Sequence, residues 1–385
     1  MKPKEYKPVK VGIVVGKMVG GGVESVVLNL LKFNDSETYT IDFIVDSDST
    51  NVPLELIRSL GGHVKYIPPY QNVIKYQKAL NRLFKKENYQ IIHANISVLN
   101  VFPMFAAYMC HVPVRIAHNH NLISPSDGIK KNIIKKFLSF FNTIFPNVYV
   151  SPTQKSGSWV FRHKKFKVVK NGIDSKRFEF SNKNRKQIRD DLKISDSQIL
   201  MGSFCRFVNT KRIPFALTVF EKLVLFNPNF RFLLVGDGPM KTEIYKQISG
   251  SPILSTAVIV LDSKSDIEKY YSALDCYIFP SSMEAFGMTA VEAQTNGLLT
   301  FVSSGIPIEA KISQKLFKVI LGDNVDYWCK SILKSIKNAP DRSAISNSVS
   351  KNDILSSKKM TKKIEQIYKS ALVEFHSSAL VEFHS

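Results

Sequence analysis

Short runs of β-branched and other apolar residues alternate along the chain with segments of helix length, and this alternation restricts the fold most. The first series of runs is 11–15, 41–45, 64–67, 91–94, 114–117 and 148–151, and a second series is 199–204, 232–235, 258–261, 277–279 and 299–302. Strands that alternate with helices form parallel sheets covered on both faces. The sequence therefore predicts an α/β protein with two Rossmann-like, doubly wound parallel-sheet domains.

The predicted boundaries follow from where this rhythm breaks. A chain of 385 residues is longer than one hydrophobic core usually grows. We expect an N-terminal domain at 1–172, a C-terminal domain at 173–350 and a closing helix at 351–369. The octapeptide 370–377 is repeated identically at 378–385, so 370–385 is interpreted as an artificial or duplicated extension without function. Ligand loops follow the strands in such folds, so the two domains are expected to face each other across a ligand cleft.

The bulk composition predicts a reduced, cytoplasmic protein. No apolar run reaches the length of a membrane-spanning helix, and the first residues lack the apolar stretch of a secretion signal. The four cysteines form no Cys-x-x-Cys pair and lie in or beside apolar segments, which favours reduced packing residues.

The net charge of +21 indicates an anionic partner. Between Cys110 and Gly172 the only acidic residue is Asp127, whereas the basic residues are Arg115, Lys130, Lys131, Lys135, Lys136, Lys155, Arg162, Lys164, Lys165, Lys167 and Lys170. Nucleic acid is not expected, because this stretch lacks interleaved aromatic residues and a recognition-helix pattern. Residues 129–145 divide into an apolar and a lysine-rich half, so the apolar half is expected to pack on the sheet. The lysines then predict peripheral attachment to the anionic inner membrane face.

The segment after the predicted strand 277–279 carries the most chemistry. A loop presents Glu284, a helix begins near Phe286, and Glu292 lies about one and a half turns into that helix. Backbone N–H groups at Phe286, Gly287 and Met288 would favour a bound phosphate. Glu292 can accept two hydrogen bonds from a vicinal diol such as a ribose.

These glutamates, separated by seven residues, resemble the signature of the retaining GT-B glycosyltransferases called "glycosyl transferases group 1" (family four). Further segments match that family in order, namely Gly20-Gly21-Gly22-Val23-Glu24, Asn171-Gly172-Ile173-Asp174, Arg206 with Lys211, and Val235-Gly236-Asp237-Gly238-Pro239. The glycine loop and the stretch from Arg115 to Asn121 look most like the polysaccharide-biosynthesis branch. Ala285, Leu299 and Cys205 depart from the usual pattern, and Ala285 puts the rate or the choice of sugar in doubt.

The resemblance implies roles for individual residues. Arg206 and Lys211 would neutralise the departing diphosphate, Glu284 would lie near the donor phosphate or sugar, and Glu292 would hold the donor ribose. Gly21 and Gly22 would let the first glycine loop approach the transferred sugar. A histidine after the strand 114–117 would contact that sugar, with His118 favoured over His120.

No metal or other cofactor is expected, since the basic pair supplies the charge. Asp46-Ser47-Asp48 resembles a metal-binding Asp-x-Asp pair, but it closes a strand of the N-terminal domain and is interpreted as a solvated turn.

The resemblance as a whole implies a retaining hexosyltransferase that moves a sugar from a nucleotide diphosphate, with UDP favoured, to a lipid-linked saccharide in capsular or exopolysaccharide assembly. The alternatives are a nucleotide-sugar epimerase of the same fold and a nonenzymatic binder of an anionic polymer.

Overall fold

The computed structural model describes residues 7–122 and 128–382, with side chains up to residue 378. The chain divides into two compact units. The first comprises Met1–Gly172 and Ser356–Ser385, and the second comprises Ile173–Leu355. The second unit is therefore inserted between two parts of the first.

The first unit contains a parallel sheet of seven strands among the described residues. The strands are β1 (Val9–Gly16), β2 (Tyr39–Asp46), β3 (His63–Ile67), β4 (Ile91–Ala94), β5 (Val114–His118), β6 (Val148–Ser151) and β7 (Lys167–Val168). Their order in the sheet is β3-β2-β1-β4-β5-β6-β7. The helices are α1 (Gly22–Lys32), α2 (Leu54–Ser59), α3 (Val73–Glu87), α4 (Val101–Met109), α5 (Ile129–Phe141), α6 (Gln154–Phe161) and, last in the chain, α15 (Ser357–Glu382). A 3₁₀ turn at Ser97–Asn100 leads into α4.

The second unit contains a parallel sheet of six strands in the order β10-β9-β8-β11-β12-β13. The strands are β8 (Ile199–Phe204), β9 (Phe230–Val235), β10 (Val258–Leu261), β11 (Cys276–Phe279), β12 (Leu299–Ser303) and β13 (Phe317–Ile320). The helices are α7 (Asn182–Asp191), α8 (Ile213–Phe226), α9 (Lys241–Ser249), α10 (Pro252–Ala257), α11 (Ile267–Ala273), α12 (Met288–Thr295), α13 (Val325–Lys337) and α14 (Arg342–Asn352). Short 3₁₀ turns lie at Asn209–Lys211 and Ile308–Ala310.

Both sheets confirm the predicted Rossmann-like architecture. In each sheet the strand order reverses next to the first strand of the unit, between β1 and β4 and between β8 and β11. Loops at the carboxyl ends of strands on either side of such a switch point form the ligand crevice of open α/β sheets. Strands β7 and β13, which lie at sheet edges, were not predicted from the sequence. Each is short and interrupted by lysine, so neither gives an apolar run.

Helix α5 is oriented opposite to the prediction. Its small polar residues Ser139 and Asn142 are buried, and the Asn142 side chain donates a 2.8 Å hydrogen bond to the Val98 carbonyl oxygen. Most of its apolar residues face solvent, with Ile129 80% exposed and Phe137 64% exposed, whereas Leu138 packs against the core of the first unit. The expectation that the apolar half packs on the sheet is wrong for most of that half, because Asn142 bonds the 3₁₀ turn Ser97–Asn100 on the protein side instead.

Helix α15 begins at Ser357, later than residue 351, and it continues through the repeated octapeptide to Glu382 instead of ending at residue 369. Its side chains Met360, Ile364 and Tyr368 are buried within the first unit, where the helix packs against α1 and β5. Residues 383–385 lie outside the described residues. Within the described part of the chain, every helix is too short or too polar to cross a lipid bilayer.

Candidate functional site

The loops at the switch point of the second unit bring three predicted charged residues to one edge of its sheet. Arg206 follows β8, Lys211 ends the 3₁₀ turn Asn209–Lys211, and Glu284 follows β11. The Lys211 ammonium forms an ion pair with the Glu284 carboxylate and lies 4.9 Å from the centroid of the Phe279 ring. The Arg206 side chain is exposed and has no ion-pair partner among the described residues. Lys211 is thus held in place, while Arg206 is free to meet an anion.

Hydrogen bonds join the loops after β8 and β11. The Thr210 carbonyl oxygen accepts a 2.8 Å bond from the Ser282 backbone N–H and lies 2.8 Å from the Ser281 hydroxyl oxygen. That hydroxyl also lies 2.6 Å from Oε1 of Glu284, and the Glu284 N–H donates to the Gly305 carbonyl oxygen at 3.0 Å. Glu284 is therefore held through both its carboxylate and its backbone N–H, as a preorganised electrostatic site requires.

Two close backbone approaches explain glycines around this loop. A Cβ atom at Gly236, whose φ is +154°, would lie 1.9 Å from the Cys205 carbonyl oxygen. A Cβ atom at Gly305 would lie 2.3 Å from the Ser281 carbonyl oxygen. A larger residue at Gly236 would displace the loop that carries Arg206, and one at Gly305 would displace the loop that carries Glu284.

Helix α12 begins after Gly287, which has a φ of +92° and no side chain to shield the first N–H groups. Phe286 is buried, and Met288 is the first residue of the helix. Glu292 lies within α12 and is partly exposed, and its carboxyl group lies beside the buried Tyr271. Burial raises the pKa of Glu292 to about 7, although a hydrogen bond from the Tyr271 hydroxyl opposes this shift.

The first glycine loop in the other unit is closed by a glutamate. The Glu24 carboxylate accepts bonds of 2.8 and 2.7 Å from the N–H groups of Val19 and Gly20, and Gly20 has a φ of +90°. Gly21 precedes α1 and Gly22 is its first residue. Both are exposed, so their backbone is open to a ligand.

Three buried histidines lie at the carboxyl ends of β4 and β5 in the first unit. His93 Nε2 lies 3.0 Å from His118 Nδ1, and His120 Nε2 lies 3.0 Å from the Asn95 amide oxygen. His118 Nε2 and His120 Nδ1 are buried and have no hydrogen-bond partner among the described residues. Burial lowers the pKa of His93 and His120 to about 3 and lowers that of His118 well below its usual value, so all three rings are neutral.

Asp46 differs from the predicted solvated turn. It is 1% exposed, its Oδ1 atom has no hydrogen-bond partner among the described residues, and burial raises its pKa to about 6. Asp48 instead pairs with Lys17 at 2.8 Å. Across residues 7–122 and 128–382, no three His, Cys, Asp or Glu side chains cluster as a metal site would require.

The two parallel sheets, each with its loops at a switch point, define the GT-B class of fold. Residues 184–352 match the family described as "Glycosyl transferases group 1", and residues 20–177 match the family described as "Glycosyltransferase Family 4". The chain carries one domain of each of these glycosyltransferase families, which confirms the predicted resemblance at the level of the families.

Related proteins agree with this assignment. EpsF of Bacillus subtilis (strain 168), named as a glycosyltransferase, is 25% identical over 333 residues, which cover 84% of this chain and 86% of EpsF. The capsular polysaccharide biosynthesis glycosyltransferase CapH of Staphylococcus aureus is 23% identical over 80% of this chain and 84% of CapH. The UDP-Gal:alpha-D-GlcNAc-diphosphoundecaprenol alpha-1,3-galactosyltransferase of Escherichia coli is 23% identical over 74% of this chain and 76% of its own.

Among solved structures, Anabaena Alr3699/HepE in complex with UDP and glucose has a TM-score of 0.79 and 16% sequence identity. The match covers 94% of this chain and 100% of HepE. This similarity shows the fold.

Several residues of these sites were not found from the sequence. Tyr271 and Gly305 contact the two glutamate positions from other segments, and no local pattern marks such a contact. His93 and Asn95 did carry a signal, because they lie at the end of the predicted strand 91–94 just as His118 lies at the end of the next one.

Proposed function

We propose that the protein is a retaining hexosyltransferase that transfers a sugar from a nucleotide diphosphate donor, with UDP favoured, to a lipid-linked saccharide in capsular or exopolysaccharide assembly. The observation that carries the proposal is the group of Arg206, Lys211 and Glu284 at the switch point of the second unit.

The second unit offers complementary groups for each part of such a donor. Arg206 and Lys211 would bind the diphosphate, with the N–H groups at the start of α12 supplying further positive potential. Glu292, 2.8 Å from the Tyr271 hydroxyl, would accept hydrogen bonds from the ribose hydroxyls through its remaining lone pairs. The carboxylate of Glu284, fixed by Lys211, would lie beside the phosphate or the sugar.

The reaction breaks the bond between the sugar and the diphosphate, so negative charge grows on the departing phosphate oxygen. Preorganised cations stabilise such a charge most strongly in the transition state. The ion pair with Glu284 already neutralises part of the Lys211 charge, so Arg206 would supply the larger share. We propose that no metal takes part in this step, because Arg206 and Lys211 together supply the positive charge. His118 would contact the transferred sugar, and Gly21 and Gly22 would admit its close approach.

The donor and acceptor classes rest on relatives. The Escherichia coli relative is named for a UDP-galactose donor and a diphosphoundecaprenol acceptor, CapH is named for capsular polysaccharide biosynthesis, and HepE was solved with UDP and glucose. The preorganised anion site of the second unit fits the diphosphate that these donors share.

A lipid-linked acceptor would be reached through α5. The helix exposes an apolar stripe of five side chains, which are Ile129, Ile133, Ile134, Phe137 and Phe140, and Ile144 just after the helix is exposed as well. Lys130, Lys131 and Lys136 are exposed beside that stripe. An amphipathic helix with apolar and basic groups facing the same side binds in the interface of an anionic membrane. We place the protein at the inner membrane face through this surface.

A transfer assay tests the proposal. Purified protein is incubated with UDP-, GDP- and ADP-sugars and with membranes that contain lipid-linked saccharides, and the anomeric configuration of the product is determined by NMR. Transfer from a UDP-sugar with retained configuration is expected. Conversion of the donor without any acceptor product would favour an epimerase, and an inverted product would contradict the retaining assignment. Donor binding without turnover in every combination would favour the nonenzymatic binder.

A further inference from the structure

A chain of buried hydrogen bonds links α15 to the end of β5 in the first unit. The Tyr368 hydroxyl oxygen lies 2.7 Å from His93 Nδ1, and His93 Nε2 lies 3.0 Å from His118 Nδ1. The two imidazole planes differ by only 9° and their centroids are 5.2 Å apart. The rings therefore meet edge to edge, which is the geometry of an N–H group that points at an in-plane lone pair.

The direction of these hydrogen bonds follows from how many buried polar groups each direction leaves without a partner. Each neutral imidazole carries one N–H, so both hydrogen bonds must run the same way. If His93 Nδ1 donated to the phenol oxygen, the Tyr368 proton would have no acceptor, because His93 is the only hydrogen-bond partner of that hydroxyl among the described residues. In that direction His118 Nε2 would carry an unpaired lone pair as well, so two buried groups would lack a partner. In the other direction only the His118 Nε2–H lacks one, and each unpaired buried group costs about 1–3 kcal/mol. The Tyr368 hydroxyl therefore donates to His93 Nδ1, and His93 Nε2–H donates to His118 Nδ1.

The remaining proton of His118 then lies on Nε2. That atom is buried and has no hydrogen-bond partner among the described residues. A neutral N–H group left unpaired at the carboxyl end of a strand beside the switch point is a donor prepared for a ligand oxygen.

We propose that Tyr368 and His93 are positioning residues that hold His118 as the Nε2–H tautomer, a neutral hydrogen-bond donor to an oxygen of the transferred sugar. The identity of that ligand rests on the proposed function, whereas the tautomer does not. The tautomer of an imidazole is set by what its other nitrogen bonds, so a residue of the last helix would fix the chemistry at the end of β5.

The proton positions can be measured without substrate. Protein labelled with ¹⁵N in histidine is studied by two-bond ¹H–¹⁵N NMR, and a His118→Asn sample identifies the His118 signals. The wild-type protein is expected to show a protonated Nε2 and an unprotonated Nδ1 for His118. A His118 ring protonated at Nδ1 would overturn the proposal before any other variant is made.

Two matched variants then test the role of Tyr368. Tyr368→Phe removes the hydroxyl, so neither direction of the His93–His118 bond is favoured and the Nδ1 signal of His118 should move toward the protonated position. Tyr39→Phe is the control, because its ring packs on Tyr368 at 5.5 Å while its hydroxyl lies 3.3 Å from the Glu365 carbonyl oxygen and touches no histidine. An unchanged His118 spectrum in Tyr368→Phe, or the same change in Tyr39→Phe, would refute the assignment.

Activity separates this inference from the function on which its ligand rests. If the spectra behave as expected but His118→Asn leaves sugar transfer unchanged, then the tautomer is correct and the sugar contact is wrong. If transfer is lost in His118→Asn while the wild-type ring carries its proton on Nδ1, the sugar contact stands and the role of Tyr368 and His93 fails.

Discussion

The Tyr271 hydroxyl donates a 2.8 Å hydrogen bond to Oε2 of Glu292, and the Tyr271 ring packs on the rings of Phe204 and Tyr277. The carboxyl group thus has one fixed donor. Burial penalises the carboxylate most and raises its pKa, whereas the phenol and the charge of Arg177 stabilise the carboxylate and lower its pKa. We therefore expect Glu292 to serve ligand binding while it lowers the stability of the folded protein.

The first prediction concerns stability. The pKa of Glu292 is raised from 4.5 to about 7 in the folded protein, so the folded state binds this proton more tightly than the unfolded state. Stability is therefore lost as the pH rises from about 4.5 to 7, and the loss is complete above pH 7. Glu292→Gln should raise the free energy of unfolding at pH 8 by roughly 1–3 kcal/mol and leave it unchanged at pH 4. The free energies of unfolding of Glu292→Gln and of the exposed control Glu243→Gln are measured in denaturant. Equal changes in the two variants at pH 8 would contradict this prediction.

The same glutamate should weaken donor binding when it is removed. A lost pair of hydrogen bonds to a charged group costs about 1.5–3 kcal/mol, so Glu292→Ala should raise the UDP dissociation constant by roughly 10- to 150-fold. Tyr271→Phe should act more mildly and with a pH dependence, because loss of the phenol raises the pKa of Glu292 further. Calorimetric titrations with UDP should show weaker binding of Tyr271→Phe at pH 7 and near-recovery at pH 9. A deficit that is equal at both pH values would assign Tyr271 a packing role only.

Arg206 should matter for turnover more than for binding. Its charge acts most strongly as the diphosphate departs, and loss of one such group typically costs about 100-fold in kcat. Arg206→Ala should therefore lower kcat by that order with a smaller change in the KM for the donor. Lys264→Ala, an exposed lysine of the same unit, serves as the control. An unchanged kcat in Arg206→Ala would remove this residue from the reaction.

Donor turnover should not depend on a divalent metal, because Arg206 and Lys211 supply the positive charge. Full activity is expected in excess EDTA, and the double variant Asp46→Asn with Asp48→Asn should respond to EDTA as the wild type does. A complete loss of activity that Mn²⁺ or Mg²⁺ restores would make the two aspartates candidate ligands again.

The exposed side of α5 should bind anionic membranes through both charge and apolar contact. Each lysine near an anionic surface contributes about 1 kcal/mol, so Lys130, Lys131, Lys135 and Lys136→Glu together should abolish sedimentation with anionic vesicles. High salt should do the same to the wild type. Ile133, Phe137 and Phe140→Ser should also weaken binding, whereas the exposed pair Leu225 and Phe226→Ser in the second unit should not. Equal binding of the wild type to neutral and anionic vesicles, or none to either, would rule the surface out.

The strands that carry ligand loops could be predicted from the sequence because each is a short apolar run followed by a turn. For β4, β6, β8 and β10 the predicted bounds agree with the structure to the residue. Contacts between segments distant in sequence could not be predicted in this way. Lys211 and Glu284 are 73 positions apart, and His93 and Tyr368 are 275 apart, so each pairing depends on packing that periodicity does not encode.

For helix α5 the amphipathic pattern was predicted correctly, but the orientation of the helix was not. Its amphipathic character and its start at Ile129 were predicted, but the pattern alone does not say which half faces the protein. The general rule that apolar halves are buried failed for most of this helix, because Asn142 makes a specific hydrogen bond to the Val98 carbonyl oxygen that an apolar side chain could not make.

The insertion of the second unit between Gly172 and Ser356 bears on how the protein is made. A ribosome releases the second unit in one continuous piece, so that unit can fold as soon as Leu355 has left the exit tunnel. The first unit, although its sheet is synthesised earlier, must wait for the helix that begins at Ser357 to bury its apolar side chains. The domain that is translated first is therefore completed last. Until its last helix is made, the uncovered apolar surface of this domain is what chaperones would have to protect.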